Sequence, residues 1–208
     1  HCLFFFFLLI LFLLNCAPVP KPTPETRNEP GWVSLTGWGI PSSPKIQKTS
    51  SSEKELVVRF NVDGFNQKII REKEDLFQSI TIPEAGVMTN IGKPNLPVIR
   101  HLVAVPKGKI VKVSLTDTSH VTRLNYNIYP VQPPVLEQGP YRTEFTIDRK
   151  FYSTSQWYPQ QIVTISKPMI IHGQTVVQLE IYPMQYLPQK KILKIFTEHK
   201  LHRLGIEG

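Results

Sequence analysis

Apolar and polar residues alternate in several short stretches of the chain after residue 55. In the first stretch, Val58, Phe60 and Val62 are separated by Arg59 and Asn61. A period of two puts the apolar side chains on one face of a β-strand and the polar side chains on the other. The pattern therefore predicts a strand that is buried on one face and wet on the other.

Further stretches of the chain also have β-type patterns. Two of them repeat the alternation, and their apolar members are Val111, Val113, Leu115, Val177, Leu179 and Ile181. Apolar runs at 98–105, 162–166 and 192–197 are separated by Pro, Gly and Asn, which mark turns. We expect the side chains of Val177, Leu179 and Ile181 to be buried, with Tyr186 packed at the end of their strand.

The arrangement of these stretches indicates the fold class. Residues 66–78 have a poor helical period, so we predict a strand followed by a loop there. A parallel βαβ fold would need long amphipathic helices between the strands, and the sequence contains no such pattern. Roughly nine short strands with frequent turn signals favour an all-β fold. We predict one domain, residues 55–204, built as a β-sandwich of antiparallel strands.

Residues 18–54 are rich in Pro, Ser and Thr and lack a sustained apolar period. Proline removes backbone donors and favours extended conformations, so we interpret this segment as a linker. Trp32 and Trp38 are exceptions to this composition, and three interpretations of them are open: they dock on the domain, they form a short hairpin, or they belong to the extended linker, which acts as a tether. We favour the tether. Residues 205–208 are interpreted as the start of a linker to a further region.

Residues 1–17 have the character of a secretory signal. Residues 2–14 form an unbroken apolar run, shorter than the roughly 20 residues of a membrane-spanning helix and within the about 7–15 residues of a signal core. Because the chain begins with His1 and no charged segment precedes the run, we expect the signal to be truncated at its start. The protein is predicted to be exported to the cell envelope or the extracellular space.

Cys16 lies at the end of this signal, in Leu13-Leu14-Asn15-Cys16. The segment resembles a bacterial lipobox, in which the cysteine becomes the lipidated first residue and tethers the protein to a membrane. Asn15 departs from that pattern, which prefers a small residue before the cysteine. Two interpretations stay open: lipidation of Cys16, or ordinary cleavage after Ala17.

Catalytic and metal-binding patterns are missing from the predicted domain. The two cysteines of the chain are Cys2 and Cys16, which excludes a cysteine nucleophile or an internal disulfide after residue 16. His199 and His202 lie in a predicted strand without an HExxH motif, so we interpret them as surface residues. We predict no catalytic residue, metal or cofactor, and leave open only a structural calcium ion in a loop.

The formal net charge of +8 raises the question of a nucleic-acid partner. The basic residues are spread along the chain, mostly alternating with apolar residues as on the outer face of strands. The sequence contains no recognised nucleic-acid-binding module. We therefore predict no nucleic-acid partner.

Proline motifs follow one another in a distinctive order along the predicted domain. Gly92-Lys93-Pro94-Asn95-Leu96-Pro97 leads into an apolar strand, and Tyr158-Pro159 comes after a long loop. A later strand, starting with His172-Gly173-Gln174-Thr175-Val176, enters Pro183-Met184-Gln185-Tyr186-Leu187-Pro188. Taken in order over residues 56–204, these segments resemble the propeptide domain of the gingipain-type peptidases, cysteine peptidase family C25.

The resemblance implies a β-sandwich propeptide that precedes a secreted cysteine endopeptidase. Such a propeptide covers the active-site cleft, keeps the zymogen latent and assists folding. The implied partner is the cognate catalytic domain, bound in cis or in trans. That domain is not contained in this chain, so the chain itself is not expected to be an enzyme; it is either a fragment of a longer precursor or a free-standing module.

The resemblance also implies an inhibitory loop. Gingipains cleave after Arg or Lys, and their propeptides can place a basic side chain from a loop into the specificity pocket. The matching loop here runs from residue 131 to 156, and its early basic residue is Arg142. A guanidinium is a planar donor fork that suits a carboxylate. Arg142 is therefore the candidate inhibitory residue, with a solvated loop arginine as the alternative.

Two other functions are open to such a chain. A lipid-anchored β-sandwich on a proline-rich stalk is typical of a surface adhesion or assembly module that has no peptidase partner. A glycosidase would need two positioned carboxylates, which the sequence does not identify.

Overall fold

The computed structural model describes residues 31–37, 39–51, 55–106, 110–135 and 144–207. Within these ranges the chain forms strands that pair in the antiparallel sense, and one short helix. The elements are β1 Gly31–Ser34, β2 Lys45–Ser51, β3 Glu55–Asn61, β4 Gly64–Glu72, β5 Asp75–Thr81, β6 Gly86–Val87, β7 Pro97–Ala104, β8 Ile110–Arg123, α1 Arg149–Tyr152, β9 Val163–Ile165, β10 Met169–Ile171, β11 Gln174–Ile181, β12 Met184–Leu187 and β13 Ile192–Glu207.

The strands form three sheets that share one hydrophobic core. The first sheet has the strand order β1-β4-β5. The second has the order β10-β11-β7-β6, and β9 also pairs with β11. The third has the order β12-β13-β3-β2, and β8 also pairs with β13. Phe60 of β3, Ile80 of β5 and Leu179 of β11 come from different sheets, belong to the same core cluster and are at most 1% exposed. The prediction of an all-β fold with antiparallel strands is confirmed.

The buried faces predicted for two of the three alternating stretches are also confirmed. Val58, Phe60 and Val62 are buried, and so are Val177, Leu179 and Ile181. The Tyr186 side chain is fully buried, and its hydroxyl donates a hydrogen bond to the Tyr126 carbonyl at 2.9 Å. A buried phenol needs such a partner, because an unpaired hydroxyl would lose its hydration without replacement.

The predicted loop in residues 66–78 is wrong. The chain forms β4, turns at Lys73, whose φ is +54°, and returns as β5, with Ile70 opposite Phe77. The neighbours Phe77 and Gln78 are both buried, and the Gln78 side chain accepts a hydrogen bond from the Asn127 amide. Since β5 is covered on both faces, it does not show the alternation that marks a half-exposed strand.

The boundary predicted at residue 55 is too late, because part of the 18–54 segment is strand. β1 pairs with β4, and β2 pairs with β3. The Trp32 ring packs against Gly64 so closely that a Cβ atom on that glycine would lie 2.4 Å from it. Trp32 is therefore docked on the domain, which was one of the alternatives to the favoured tether. Trp38 lies outside the described residues. Pro41 and Pro44 lie between β1 and β2. The proline-rich composition of the segment is the reason that neither strand was predicted.

The end of the domain also differs from the prediction. β13 continues through residues 205–207, which had been interpreted as linker, and Glu207 pairs with Ile110 of β8. Register shifts interrupt its pairing with β8 after Phe196, Lys200 and His202. The extra residue lies in β13 at the first and third of these shifts and in β8 at the second. Bulges interrupt the period of two, and the sequence pattern therefore underestimates the length of the strand.

The predicted signal segment, residues 1–17, lies outside the described residues, and so does Cys16. In the ranges that the structure describes, no helix combines the length and apolar character required to cross a membrane.

Candidate functional site

Within the predicted inhibitory loop and at its start, two short segments flank the position of Arg142 in the sequence. We call residues 129–132 the first stem and residues 145–148 the second stem. Arg142 lies between them, outside the described residues, so its position stays a prediction. The two stems are described, and they show how the chain on either side of Arg142 is held.

The first stem is hydrogen-bonded to the segment that carries the Gly-x-Pro-x-Leu-Pro motif. The Val131 amide donates to the Lys93 carbonyl at 2.8 Å, and the Asn95 amide donates to the Tyr129 carbonyl at 2.9 Å. The Gly92 amide in turn donates to the Val131 carbonyl at 2.8 Å. The motif therefore serves as a short backbone partner that fixes the point where the loop starts.

The same motif holds the second stem. The Asp148 amide donates to the Gly92 carbonyl at 2.9 Å, and a Cβ atom on Gly92 would lie 3.1 Å from that amide nitrogen. Gly92 also has a φ of +79°, a conformation that side chains disfavour. Glycine is thus required here for two reasons, and the motif anchors both stems at one place.

The second stem continues into α1, which packs against the body of the domain. The Asp148 carboxylate accepts a hydrogen bond from the Phe151 amide at 2.9 Å and so caps the helix. The Tyr152 hydroxyl donates to the Ile128 carbonyl at 2.6 Å, next to the first stem. The chain is therefore fixed immediately after the loop.

The Gln132 side chain connects the two stems directly. Its Nε2 donates to the Thr146 carbonyl at 2.9 Å, and its Oε1 accepts from the Thr146 amide at 2.9 Å. Nε2 also donates to the Pro130 carbonyl at 3.0 Å. Gln132 could not be identified from the sequence, because a glutamine that binds backbone groups has no sequence signature.

Aromatic rings fill the space beneath the stems. The Phe145 ring lies 5.5 Å from Phe77 and 5.8 Å from Tyr129, measured between ring centroids. Phe77 and Tyr129 meet edge to face at 5.8 Å. This cluster joins one residue of each stem to β5, so the base of the loop rests on the core.

The second pair of proline motifs is structural. Tyr158 and Tyr186 exchange backbone hydrogen bonds at 2.7 and 2.8 Å, and the Tyr158–Pro159 peptide bond is cis. The buried Gln185 side chain donates to the Pro159 carbonyl at 2.8 Å. The Tyr-Pro and Pro-x-Gln-Tyr-x-Pro motifs therefore occur together in the sequence because they pair with each other in the fold.

The tyrosines in this region stay neutral over the physiological range. Burial raises the pKa of Tyr158 and of Tyr186 to about 12, and it raises the pKa of Tyr152 above its ordinary value as well. The three phenols therefore act as hydrogen-bond donors and ring contacts. None of them is prepared to act as a base or nucleophile near neutral pH.

A polar network on the outer face of β7 and β11 was also not anticipated. Arg100 Nε donates to Glu180 Oε1 at 2.9 Å, and the Tyr182 hydroxyl donates to Glu180 Oε2 at 2.7 Å. Burial alone would raise the pKa of Glu180, but these hydrogen bonds and the Arg100 charge outweigh it, and the pKa lies below its ordinary value. Glu180 is thus a satisfied carboxylate within a cross-strand network.

Among the described residues, no three His, Cys, Asp or Glu side chains come together in a group that could hold a metal ion. The prediction that the chain uses no cofactor, with a calcium ion left open, stays a prediction.

Comparison with solved structures shows the same fold. A structure reported as "Structural insight into zymogenic latency of gingipain K from Porphyromonas gingivalis" superposes with a TM-score of 0.69 and 20% identity, over 86% of this chain and 99% of that chain. The complex of Porphyromonas gingivalis RgpB pro- and mature domains gives a TM-score of 0.71 and 20% identity, over 80% of this chain and 90% of that chain.

Comparison with curated proteins points in the same direction. Gingipain R1 of Porphyromonas gingivalis is 23% identical over 157 residues, which are 75% of this chain and 16% of that protein. The chain thus spans only a small part of the length of that relative.

The model of the Propeptide_C25 family matches residues 38–202. The match includes nearly all of the predicted domain and begins within the segment that had been interpreted as linker, in agreement with the strand β2 found there. What is matched is a propeptide domain and not a catalytic domain. The order of the proline motifs predicted the family correctly, and the chain belongs to the Propeptide_C25 family.

Proposed function

We propose that this chain is the inhibitory and folding-assisting propeptide of a secreted gingipain-like cysteine endopeptidase of family C25. Family membership supports this function, and the solved neighbours concern the latency of one gingipain and the pro–mature complex of another. The partner is the cognate catalytic domain, bound in cis or in trans. The adhesion module considered above is not favoured, since no observation on the described residues supports it over a propeptide.

The observation that carries the inhibitory part of the proposal is the anchoring of the two stems. A loop that blocks a peptidase cleft must be presented in one orientation, since each alternative orientation lowers the apparent affinity in proportion to its population. Gly92 and the ring cluster of Phe77, Tyr129 and Phe145 tie both stems to the core. The body of the domain can therefore act as a rigid support for the residues between them.

Arg142 is the residue between the stems that we propose to enter the specificity pocket of the peptidase. The guanidinium would take the place of the substrate residue on the acyl side of the cleaved bond. A bidentate contact with a pocket carboxylate would make this a charge-assisted hydrogen bond in a desolvated site.

The test is inhibition of the C25 catalytic domain of the same organism by the purified chain in trans. Removing one partner of such a buried charge pair typically costs about 2–5 kcal/mol, so Arg142→Ala should raise the inhibition constant about thirtyfold or more. The control is Lys167→Ala, which removes an exposed basic residue between β9 and β10. Equal inhibition constants for wild type and Arg142→Ala would exclude Arg142, and absence of binding by the wild-type chain would exclude the propeptide function.

We also propose that residues 1–17 direct export and that Cys16 carries a lipid. The run of apolar residues supports export, and the lipobox-like sequence supports the anchor. Mass spectrometry of the protein expressed in a bacterial host with the signal completed should find diacylglyceryl on Cys16, absent from Cys16→Ser. An unmodified N-terminus at Pro18 in the mature protein would instead show ordinary cleavage after Ala17.

A further inference from the structure

We infer that Gln132 is a positioning residue that sets the geometry of the two stems and thereby the presentation of Arg142; the inference rests on the proposed inhibitory function. The side chain lies half-buried at the end of the first stem. Its partner Thr146 lies in the second stem, on the other side of Arg142 in the sequence.

The hydrogen bonds of Gln132 reproduce those of a neighbouring strand. Its carboxamide both donates to and accepts from the backbone of a single residue, Thr146. Two hydrogen-bonded residues of an antiparallel pair exchange their backbone groups in the same way. The side chain therefore continues the sheet-like pairing by one step beyond the last backbone contact of the first stem.

The third hydrogen bond fixes the side chain in this orientation. Nε2 has two protons, and the structure gives each an acceptor, at Pro130 and at Thr146. The Oε1 atom faces a donor, the Thr146 amide. An amide turned by 180° would place oxygen against two carbonyls and nitrogen against an N–H group, so only one orientation satisfies the site.

The position of these bonds separates the role of Gln132 from that of the other anchors. Gly92 binds each stem to the body of the domain, the first through Val131 and the second through Asp148. Gln132 makes two direct hydrogen bonds from the first stem to the second, next to the ring contact between Tyr129 and Phe145. Its loss therefore leaves each stem attached but allows their separation and direction to vary where the chain leaves the body.

The test uses Gln132→Ala, which removes all three hydrogen bonds, and Gln132→Glu, which keeps the shape but turns oxygen toward the Pro130 and Thr146 carbonyls. The control is Gln178→Ala, which removes a half-buried, hydrogen-bonded glutamine of β11 far from the stems in sequence. Each chain is titrated against the C25 catalytic domain, and its thermal midpoint and amide hydrogen exchange are measured without the peptidase.

If Gln132 positions the stems, Gln132→Ala and Gln132→Glu should weaken binding about tenfold, because the competent arrangement becomes a minor one. Their thermal midpoints should match that of Gln178→Ala, and exchange at the Thr146 amide should become faster while exchange at Leu179 stays slow. In the Arg142→Ala background, Gln132→Ala should have little further effect, since a residue that acts through another loses its influence once that residue is gone.

Three outcomes overturn the inference. Binding by Gln132→Ala equal to that of the control would show that the stems need no such link. An equal loss of binding on Gln132→Ala, whether residue 142 is Arg or Ala, would show that Gln132 has a general structural role. Absence of binding by the wild-type chain would remove the proposed function and the inference together, whereas wild-type binding that Gln132 variants preserve would remove the inference alone.

Discussion

Single residues at the base of the loop show how backbone geometry and close contact contribute separately. Gly92 and Gly173 have nearly equal φ angles, +79° and +78°. A Cβ atom on Gly92 would meet the Asp148 backbone at 3.1 Å, whereas one on Gly173 would meet nothing within 4 Å. The two glycines therefore form a natural comparison of strain alone with strain plus steric conflict.

We expect Gly173→Ala to lower the free energy of unfolding by about 1–2 kcal/mol, the cost of a left-handed side-chain-bearing residue. Gly92→Ala should cost more, because Asp148 must also move away from its hydrogen bond. Urea denaturation of the two variants at neutral pH measures the difference. Equal losses would mean that the second stem shifts without cost, and that Gly92 is not its fixed anchor.

Burial at a single core position gives a second prediction at this scale. Leu179 is 1% exposed, whereas Leu102, in the adjacent strand, is 51% exposed. Leu179→Ala should lower the free energy of unfolding by about 2–5 kcal/mol through lost contacts and a cavity, and Leu102→Ala by less than about 0.5 kcal/mol. Urea denaturation of the two variants measures both losses. Similar losses of unfolding free energy in the two variants would mean that the core is assigned to the wrong face of the sheet.

At the scale of elements, the period of two identified strands that have one covered and one exposed face. It succeeded for β3, where Val58 and Phe60 point inward, and for the inner half of β11. It failed for β5, because Phe77 and Gln78 are both buried, and for β13, because bulges shift the alternation. Elements whose two faces are alike or whose register changes cannot be recognised from periodicity alone.

The strand β1 gives a prediction at the element scale, since it had been assigned to a tether. Trp32 packs on Gly64, whereas Ile40 in the same segment is 76% exposed. Trp32→Ala should lower the free energy of unfolding by about 1–3 kcal/mol, less than a fully buried tryptophan would. Ile40→Ala serves as the control and should have almost no effect. If both substitutions leave the stability unchanged, β1 does not contribute to the folded domain.

For the whole molecule, the buried tyrosines predict how stability depends on pH. The pKa values of Tyr158 and Tyr186 are raised to about 12 in the folded state, from an ordinary value of 10.0. The folded protein therefore holds these protons more tightly than the unfolded chain does. Their contribution is fully present below pH 10 and is lost as the pH rises towards 12.

The free energy of unfolding, measured in urea at a series of alkaline pH values, should accordingly decrease between pH 10 and 12. In Tyr186→Phe the decrease should be shallower, although the variant is less stable at pH 8 because the hydrogen bond to Tyr126 is lost. An equally steep decrease in wild type and variant would show that Tyr186 is not responsible for it.

The site was predictable from the sequence only in outline. The proline motifs placed a loop between residues 131 and 156 and drew attention to Gly92, whose φ and contact explain the glycine. The sequence could not show that Gly92 holds both stems, because these contacts join backbone groups that any residue carries. It could not show that the Gln132 side chain binds Thr146 either, because its partner is the backbone of a residue that only the fold brings near. The glycine can be recognised from the sequence as a residue of a turn, but only the fold determines which backbone groups it contacts.

The interior position of β13 has a consequence for proteolysis. Its residues 198–201 pair with β3 on one side and with β8 on the other, and the basic residue Lys200 lies opposite both Arg59 and Asp117. A protease binds an extended segment that has been drawn out of its sheet, so cleavage follows the population of locally opened molecules. For a trypsin-like enzyme working beside this folded domain, the peptide bond after Lys200 would be inaccessible, and the chain would stay uncut at that bond until the sheet itself opened.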